Sequence, residues 1–295
     1  MYPILEAESI APDVRRIVIE APKIAKKHKA GQFVIVRVTP DGERIPLTIA
    51  EADTEVGSIT LFVQAIGRTT TLMTELEAGD SLVDVAGPLG HASEIKDYGT
   101  AVVVGGGVGT AIAYPIATAL ADAGNRVIAI IGGRTREYVL LENELASHGI
   151  EVIPCTDDGS YGRKGFVTEA LADVVAEEEV GVVFTIGPVP MMRAVAEVTR
   201  PGAIETVASL NPIMIDGTGM CGGCRVEVGG ETKFACVDGP EFDAHEVDFA
   251  LLARRNTSYR AFEVGQMDDL KSLDAEHHEQ LLAPVRGACA TEVAS

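Results

Sequence analysis

The stretch from Asp216 to Cys236 constrains this chain more than any other, because it holds three of the five cysteines in a glycine-rich segment. Cys221, Cys224 and Cys236 have the spacing C-x2-C-x11-C, and Asp216 lies five residues before the first of them. With Asp216 as the fourth ligand, the pattern becomes D-x4-C-x2-C-x11-C. This is the plant-type [2Fe–2S] spacing with a carboxylate in place of the first thiolate. We therefore predict a [2Fe–2S] site whose last ligand comes from a hairpin, RVEV-GG-ETKFAC.

Other uses of these cysteines remain open at this point. A C-x2-C pair with a distant third cysteine can be half of a zinc ribbon, but zinc ribbons usually contain two such pairs and this chain has one. The thiols could also be reduced structural groups. A disulfide framework is less favoured, because the chain is long and poor in cysteine.

Composition excludes several functions. The 295 residues suggest two or three domains, and hydrophobic residues at 46% are enough to form buried cores. A net charge of −20 argues against binding to nucleic acid or to an anionic membrane. No apolar run reaches transmembrane length and no signal peptide precedes the first strand, so we predict a cytoplasmic protein with reduced thiols.

Residues 1–97 predict a small antiparallel β-barrel. Strands are expected at Val14–Ile19, Phe33–Val38 and Ser58–Ala65, where alternating or β-branched residues are bounded by Gly, Pro and Asp. A helix is expected at Thr70–Glu77. The glycine, arginine and hydroxyls of GRTTT at the start of this helix suit a pyrophosphate, although an ordinary N-cap explains them equally well.

Residues 98–208 predict a doubly wound parallel sheet, because strands and helices alternate. Expected strands are Thr100–Val104, Arg126–Ile131, Glu151–Pro154 and Gly181–Ile186; expected helices run from the glycine turn to about Ala123 and over Glu137–His148, Gly165–Glu178 and Val189–Val198. Ligands bind at the carboxyl ends of such strands, where this chain has GGGVGT, GGR, TDDG and GP. The glycine turn is not a standard Rossmann fingerprint, because Thr110 replaces the third glycine and no acidic residue ends the second strand.

Residues 209–262 predict the small cluster domain, with a short helix at Val247–Arg255. From residue 263 the chain becomes polar and acidic, and we interpret 263–295 as a mobile tail with one weak helix at Leu270–Leu282. His277, His278 and Cys289 could bind a metal in principle, but solvated tail residues are the simpler interpretation. Cys155 is expected to be a buried structural thiol.

The order of these parts resembles a known superfamily. The motifs GQFVIVRV, IPLTIA, GDSLVDVAGPLG, VVVGGGVGTA, IGPVPMM and DGTGMCGGC resemble those of the ferredoxin–NADP reductase superfamily. Within it, the chain is most similar to electron-transfer subunits of the dihydroorotate dehydrogenase type. It also resembles the small subunits of NADH-dependent reduced ferredoxin:NADP oxidoreductases, also described as sulfide dehydrogenase beta subunits. The carboxylate at Asp216 separates this branch from the dihydroorotate type, whose cluster is held by four cysteines.

The resemblance implies FAD in the barrel and NAD(H) in the parallel domain. It assigns FAD contacts to Arg44, Pro46, Leu47, Thr48, Gly67, Thr70 and Thr71, with Thr48 near flavin N5 and Ile45 where the motif arginine usually stands. It assigns NAD contacts to Gly105, Gly107, Gly109, Thr110, Arg134, Asp157, Gly187, Pro188 and Met191. The usual reductase cysteine is Ile186 here, so no catalytic side chain is expected. Hydride transfer from nicotinamide to flavin needs stacking rather than a protein acid–base pair.

The resemblance also implies a partner. This would be a larger subunit with its own FAD, [4Fe–4S] clusters and an NADP(H) site, and the complex would couple NADH and reduced ferredoxin to NADP reduction by electron bifurcation. Two alternatives remain open. The same module could serve a dihydroorotate dehydrogenase or a sulfide or polysulfide reductase, or it could be a redox-sensing module without NADH turnover. Bleaching of the bound flavin by NADH would exclude the sensor.

Overall fold

The structure, a computed structural model, describes residues 1–287. Its strands are β1 (Tyr2–Ala11), β2 (Val14–Glu20), β3 (Phe33–Arg37), β4 (Arg44–Thr48), β5 (Glu51–Asp53), β6 (Ser58–Gln64), β7 (Ser81–Leu82), β8 (Asp84–Leu89), β9 (Thr100–Gly106), β10 (Arg126–Gly133), β11 (Glu151–Thr156), β12 (Arg163–Lys164), β13 (Val182–Ile186), β14 (Glu205–Ser209), β15 (Arg225–Val228), β16 (Glu231–Phe234) and β17 (Glu241–Asp243). Its α-helices are α1 (Pro22–Ala25), α2 (Arg68–Thr74), α3 (Gly109–Asp122), α4 (Glu142–Ser147), α5 (Val167–Glu177), α6 (Val189–Thr199), α7 (Ala235–Asp238), α8 (Phe249–Asn256), α9 (Arg260–Ser272) and α10 (Ala275–Leu282). Over these residues no helix is both long and apolar enough to cross a membrane.

The N-terminal part is the predicted antiparallel barrel. One sheet has the strand order β5-β6-β2-β1-β7 and the other the order β4-β3-β8. Alternation along the strands buries Ile17, Ile19, Leu61 and Val63 in its core. The second sheet positions the site, because β4 pairs with β3 over its whole length, from Phe33 opposite Thr48 to Arg37 opposite Arg44.

The middle part is the predicted parallel sheet, with the order β12-β11-β10-β9-β13-β14-β17. Helices α3 and α4 pack on one face of it, whereas α5 and α6 pack on the other. One prediction here was wrong in detail, and one strand was missed. The helix expected over Glu137–His148 is a single 3-10 turn at Arg136–Tyr138 followed by α4, and the strand at Glu205–Ser209 was not predicted.

The cluster segment, predicted to begin at residue 209, is not packed as a domain apart from the parallel sheet and the barrel. Its strand β17 pairs antiparallel with β14, so it extends the nucleotide-binding sheet. Hairpin β15–β16 forms as predicted around Gly229 and Gly230, but Cys236 lies in the one-turn helix α7 rather than at the end of a strand. Its apolar residues share one core with Phe33 and Ile35 of the barrel and Met192 of α6.

The C-terminal helices correct the expectation of a mobile tail over the described residues 263–287. Leu270, Leu282 and Val285 are buried in the barrel core, and the Ser81 N–H donates to the Val285 carbonyl at 2.9 Å. His278 Nε2 lies 2.7 Å from Glu75 of the barrel, and His277 Nδ1 lies 2.7 Å from Asp274. This packing could not be predicted from the sequence, because the three apolar side chains are spread through an acidic segment. Cys289 lies outside the described residues.

Candidate functional site

A cleft of about 700 Å³ lies where the barrel, the parallel sheet and the cluster segment meet. Its barrel wall is strand β4, from Ile45 to Thr48. Its opposite wall is the glycine turn after β9 with Gly187, Pro188 and Met191. Leu210, Asn211, Met214 and Pro240 contribute a third wall from the cluster segment. Residues predicted for flavin and for nicotinamide therefore face the same space.

Most of the predicted contacts line this cleft. The predicted FAD residues found there are Pro46, Leu47, Thr48 and Thr70, and the predicted NAD residues are Gly107, Gly109, Arg134, Asp157, Gly187, Pro188 and Met191. The glycines allow a close approach of backbone. A Cβ on Gly109 would lie 2.5 Å from the Ile186 carbonyl oxygen, and one on Gly106 would lie 2.6 Å from Met191 Sδ. The narrow turn between β9 and α3 thus depends on residues without side chains.

Five predicted residues do not line the cleft. Gly105 and Thr110 pack against each other, since a Cβ on Gly105 would lie 2.7 Å from Thr110 Cα. Gly67 is the N-cap of α2, where its N–H donates to Thr70 Oγ1 at 3.0 Å. Thr71 Oγ1 lies 3.9 Å from Met267 Sδ in α9.

Arg44, a predicted FAD contact, is the fifth. Its Nη1 donates to Asp84 Oδ2 at 2.9 Å and its Nε donates to the Ile215 carbonyl at 3.0 Å. The side chain therefore reaches the cluster loop instead of the cleft. Position along the strand explains this, because Arg44 lies at the far end of β4 from Thr48. Arg37 of β3 pairs with both Arg44 and Asp84, so Arg44 reaches Asp84 across β3.

The sequence also missed cleft residues. Leu210, Asn211 and Met214 follow the carboxyl end of β14. Pro240 joins them because β17 pairs with β14, and the Leu210 N–H donates to the Pro240 carbonyl at 2.9 Å. Asn211 supports the opposite wall, since its Nδ2 donates to the Gly187 carbonyl at 3.4 Å. No local signal marks them, apart from the Asn211-Pro212 pair that follows β14.

The four predicted metal ligands lie in two neighbouring pairs. Cys224 Sγ and Cys236 Sγ are 3.2 Å apart and both residues are buried. Asp216 Oδ2 accepts the Cys221 N–H at 2.8 Å, and Asp216 Oδ1 accepts the Thr218 N–H at 2.9 Å. Both hydrogen bonds hold the pKa of Asp216 below its usual value, and the bond from the Thr218 N–H has the larger effect.

This arrangement fits a [2Fe–2S] cluster, which distributes four ligands over two irons. Tetrahedral thiolate ligands at about 2.3 Å from a metal lie about 3.8 Å apart, so Cys224 and Cys236 need little movement to share one iron. Within residues 1–287 no group of three or more His, Cys, Asp or Glu side chains is placed so that it could hold one metal ion. Burial raises the pKa of the Cys236 thiol to about 12, and the neighbouring Cys224 adds to this effect. Metal binding would displace that proton, because the thiolate is the ligand.

Cys155 is a buried thiol, as predicted, at the carboxyl end of β11. Burial raises the pKa of this thiol. It is therefore protonated at neutral pH, which agrees with a structural rather than a nucleophilic role.

An antiparallel barrel, a parallel nucleotide-binding sheet and a cysteine-rich segment around one cleft define a flavin- and iron–sulfur-containing NAD(P)H oxidoreductase subunit. Comparison with known proteins gives the same class. The family described as "Oxidoreductase FAD-binding domain" matches residues 2–93, and the "Iron-sulfur cluster binding domain of dihydroorotate dehydrogenase B" matches residues 211–248.

Two relatives and one solved structure identify the family. A dihydroorotate dehydrogenase B (NAD(+)) electron transfer subunit homolog of Thermotoga maritima is 44% identical over 87% of this chain and 91% of that protein. The electron transfer subunit of Geobacillus thermodenitrificans is 34% identical over 83% of this chain and 96% of that protein. A structure of an NADH-dependent reduced ferredoxin-NADP oxidoreductase, described with flavin-based electron bifurcation, has 42% identity and a TM-score of 0.87, and the match covers 91% of this chain and 97% of that one.

The chain belongs to the family of dihydroorotate dehydrogenase B electron-transfer subunits. It is an electron-transfer subunit that uses FAD, a [2Fe–2S] cluster and NAD(H), and it works as part of a larger complex. The predicted family, fold class and cofactors are thereby confirmed.

Proposed function

We propose that this chain takes hydride equivalents from NADH and delivers single electrons to a larger subunit of an electron-bifurcating NADH/ferredoxin/NADP oxidoreductase. One observation carries the proposal: a single cleft is lined by the flavin strand β4, by the glycine turn after β9 and by the cluster segment. Similarity to the NADH-dependent reduced ferredoxin-NADP oxidoreductase supports the choice of complex.

The cleft residues have distinct roles in this proposal. Bound FAD supplies the hydride acceptor and the cluster carries one electron at a time. Pro46, Leu47 and Thr48 form the wall for the isoalloxazine ring. The turn at Gly107 admits the dinucleotide diphosphate, and Gly187, Pro188 and Met191 form the wall for the nicotinamide. These groups align two rings and exclude water, so no side chain of the chain needs to move a proton.

Asp216, Cys221, Cys224 and Cys236 are the proposed cluster ligands. Asp216 and Cys221 are held together by the 2.8 Å hydrogen bond, and the buried pair Cys224 and Cys236 faces the shared core. A carboxylate donates less electron density to iron than a thiolate of the same charge, so the site should differ in potential from a four-cysteine site.

The exposed side of the cluster loop is the proposed exit for electrons. Cys221 is exposed, unlike Cys224 and Cys236, and the adjacent Met220 is 89% exposed. Ile215 and Tyr259 are exposed in the same region. An apolar rim around a redox group suits contact with a partner subunit, here proposed to contain FAD, [4Fe–4S] clusters and an NADP(H) site.

Anaerobic purification of the native complex tests this function. Iron, sulfide and flavin analysis of the purified chain should give two irons and one FAD per chain, and NADH should bleach the flavin in preference to NADPH. Zinc in the cysteine site, or a flavin that NADH leaves oxidised, would contradict the proposal.

Substitution of Asp216 tests the ligand set. We expect Asp216→Cys to keep a cluster with an altered visible spectrum and potential. Asp216→Ala should lose iron at least about tenfold more readily, because a ligand is removed. Asp216→Asn can still accept the N–H bonds of Thr218 and Cys221, so it separates loop capping from ligation.

Asp238→Ala is the matched control for these variants. Its carboxylate also caps backbone close to a cysteine, accepting the Phe234 N–H at 2.6 Å, but it is outside the ligand spacing. An unchanged cluster spectrum in both Asp216→Ala and Asp238→Ala would rule out Asp216 as a ligand.

A second candidate is the same module in a complex with dihydroorotate dehydrogenase. The names of the relatives and the iron–sulfur family match favour it. The isolated native complex separates the two candidates, since one oxidises dihydroorotate with NAD and the other exchanges electrons among NADH, NADP and ferredoxin.

A further inference from the structure

Arg44 connects the barrel to the loop that carries Asp216. Its Nε donates to the carbonyl of Ile215, the residue directly before Asp216, at 3.0 Å. Its Nη1 donates to Asp84 Oδ2 at 2.9 Å. Guanidinium donors are planar and charged, so two such bonds fix the direction of the side chain as well as its position.

The same strand forms the flavin wall of the cleft. Because side chains alternate along a strand, Arg44, Pro46 and Thr48 lie on one face of β4. Arg44 and Thr48 are four steps of about 3.3 Å apart along the strand, so the two ends of this row are about 13 Å apart. One end of the row thus contacts the cluster loop and the other lies in the cleft.

A second contact, at Gly217, places the cluster loop against the sheet formed by β4, β3 and β8. Gly217 has a φ of +77°, and a Cβ there would lie 2.6 Å from Leu89 Cδ1 and 3.0 Å from Ile35 Cγ1. The residue after Asp216 therefore lies directly on β3 and β8. The residue before it is held by Arg44, so Asp216 is fixed to the barrel from both sides.

We propose that Arg44 is a positioning residue for the iron–sulfur site, which fastens the Asp216 loop to the flavin strand and raises the reduction potential of the cluster through its charge. This inference rests on the proposed ligation by Asp216. Reduction adds negative charge to the cluster, and a nearby cation stabilises that charge. Asp84 partly neutralises the guanidinium and therefore opposes the effect.

The two members of the ion pair give opposite expectations. Arg44→Gln removes a positive charge and should lower the reduction potential of the cluster by about 30 mV. This corresponds to a change of about threefold in the one-electron equilibrium constant. Asp84→Asn removes a negative charge and should raise it. A purely structural role would move both variants in the same direction. Arg44→Lys should keep most of the potential but loosen the loop, because lysine lacks the forked donors.

The experiment uses the cluster- and FAD-loaded chain within its native complex. Redox titration monitored by electron paramagnetic resonance gives the potential, and amide hydrogen exchange over residues 213–222 reports how firmly the loop is held. The rate of flavin bleaching by NADH, measured by stopped flow, should be unchanged in Arg44→Gln. Reduction of the cluster should slow by about tenfold, because a small displacement of the cluster loop is enough to slow this step.

Arg37→Gln is the matched control. Arg37 lies opposite Arg44 on β3, but its Nη1 donates to the Pro40 carbonyl at 3.3 Å and not to the cluster loop. Loss of FAD with an unchanged cluster in Arg44→Gln would overturn the inference and make Arg44 a flavin ligand. Potential shifts of the same sign in Arg44→Gln and Asp84→Asn would also overturn it. A wild-type chain without a [2Fe–2S] signal would instead refute the proposed function.

Discussion

At the scale of single residues, Glu241 is a carboxyl group enclosed where the three parts of the chain meet. It lies on β17 opposite Ser209 of β14, and Ser93 Oγ donates to its Oε1 at 2.6 Å. Burial raises the pKa of Glu241 from 4.5 to about 7, against the opposing effect of the Ser93 hydrogen bond. The group is therefore partly protonated at neutral pH.

This shift predicts a pH dependence of stability. A carboxyl group with a raised folded-state pKa binds more protons in the folded state, so its favourable contribution is complete below pH 4.5 and is lost as pH rises through about 7. Glu241→Gln should raise the free energy of unfolding at pH 8 by about 1–3 kcal/mol and flatten its slope between these pH values.

Urea unfolding at several pH values measures both effects, with exposed Glu263→Gln as the control. A variant as pH-dependent as the wild type would show that Glu241 ionises freely.

At the scale of elements, the C-terminal helices belong to the barrel. The α10 residue Leu282 is 0% exposed, and Gly287 N–H donates to Asp80 Oδ1 at 2.9 Å. Helix α9 lies along α2, with Arg68 Nη1 donating to Gln266 Oε1 at 2.6 Å. Residues outside the predicted domains therefore support the helix that begins beside the cleft.

Leu282→Ala tests this packing. Removing a fully buried leucine should lower the free energy of unfolding by about 2–5 kcal/mol, because transfer and cavity costs add. Leu273→Ala is the control, since this leucine between α9 and α10 is 37% exposed and should cost within about 0.5 kcal/mol. Chemical denaturation measures both, and equal small effects would mean that the helices do not pack on the barrel in solution.

At the scale of the whole molecule, one apolar core joins all three parts. It includes Phe33 and Ile35 of the barrel, Met192 of α6, and the predicted ligands Cys224 and Cys236. We therefore expect a change at the cluster to affect the packing of the barrel and the parallel sheet as well.

Removal of the cluster should destabilise the entire chain. Metal binding to the folded state contributes to folding free energy, so the iron-free protein should melt at least about 5 °C lower, with barrel and parallel sheet unfolding together. Scanning calorimetry alongside flavin fluorescence measures both events. A flavin-release transition that is unshifted by iron removal would show that the barrel is independent of the cluster segment.

The sequence alone determined the local chemistry. The spacing of Asp216, Cys221, Cys224 and Cys236 and the glycine turn after β9 are short-range patterns, and their residue types restrict which ligands and backbone shapes are possible. Alternation with period two gave the barrel strands, and alternating strands and helices gave the parallel sheet. These predictions needed no knowledge of distant contacts.

Only the tertiary structure decided which distant groups meet. Arg44 turns toward Ile215, 171 positions away, instead of toward the cleft, and Pro240 reaches the cleft because β17 joins the nucleotide-binding sheet. Leu282 and Val285 become core residues because the barrel has an apolar surface for them to cover. Such contacts depend on the shape of the assembled sheets, and the residues that make them carry no local signal of their partner.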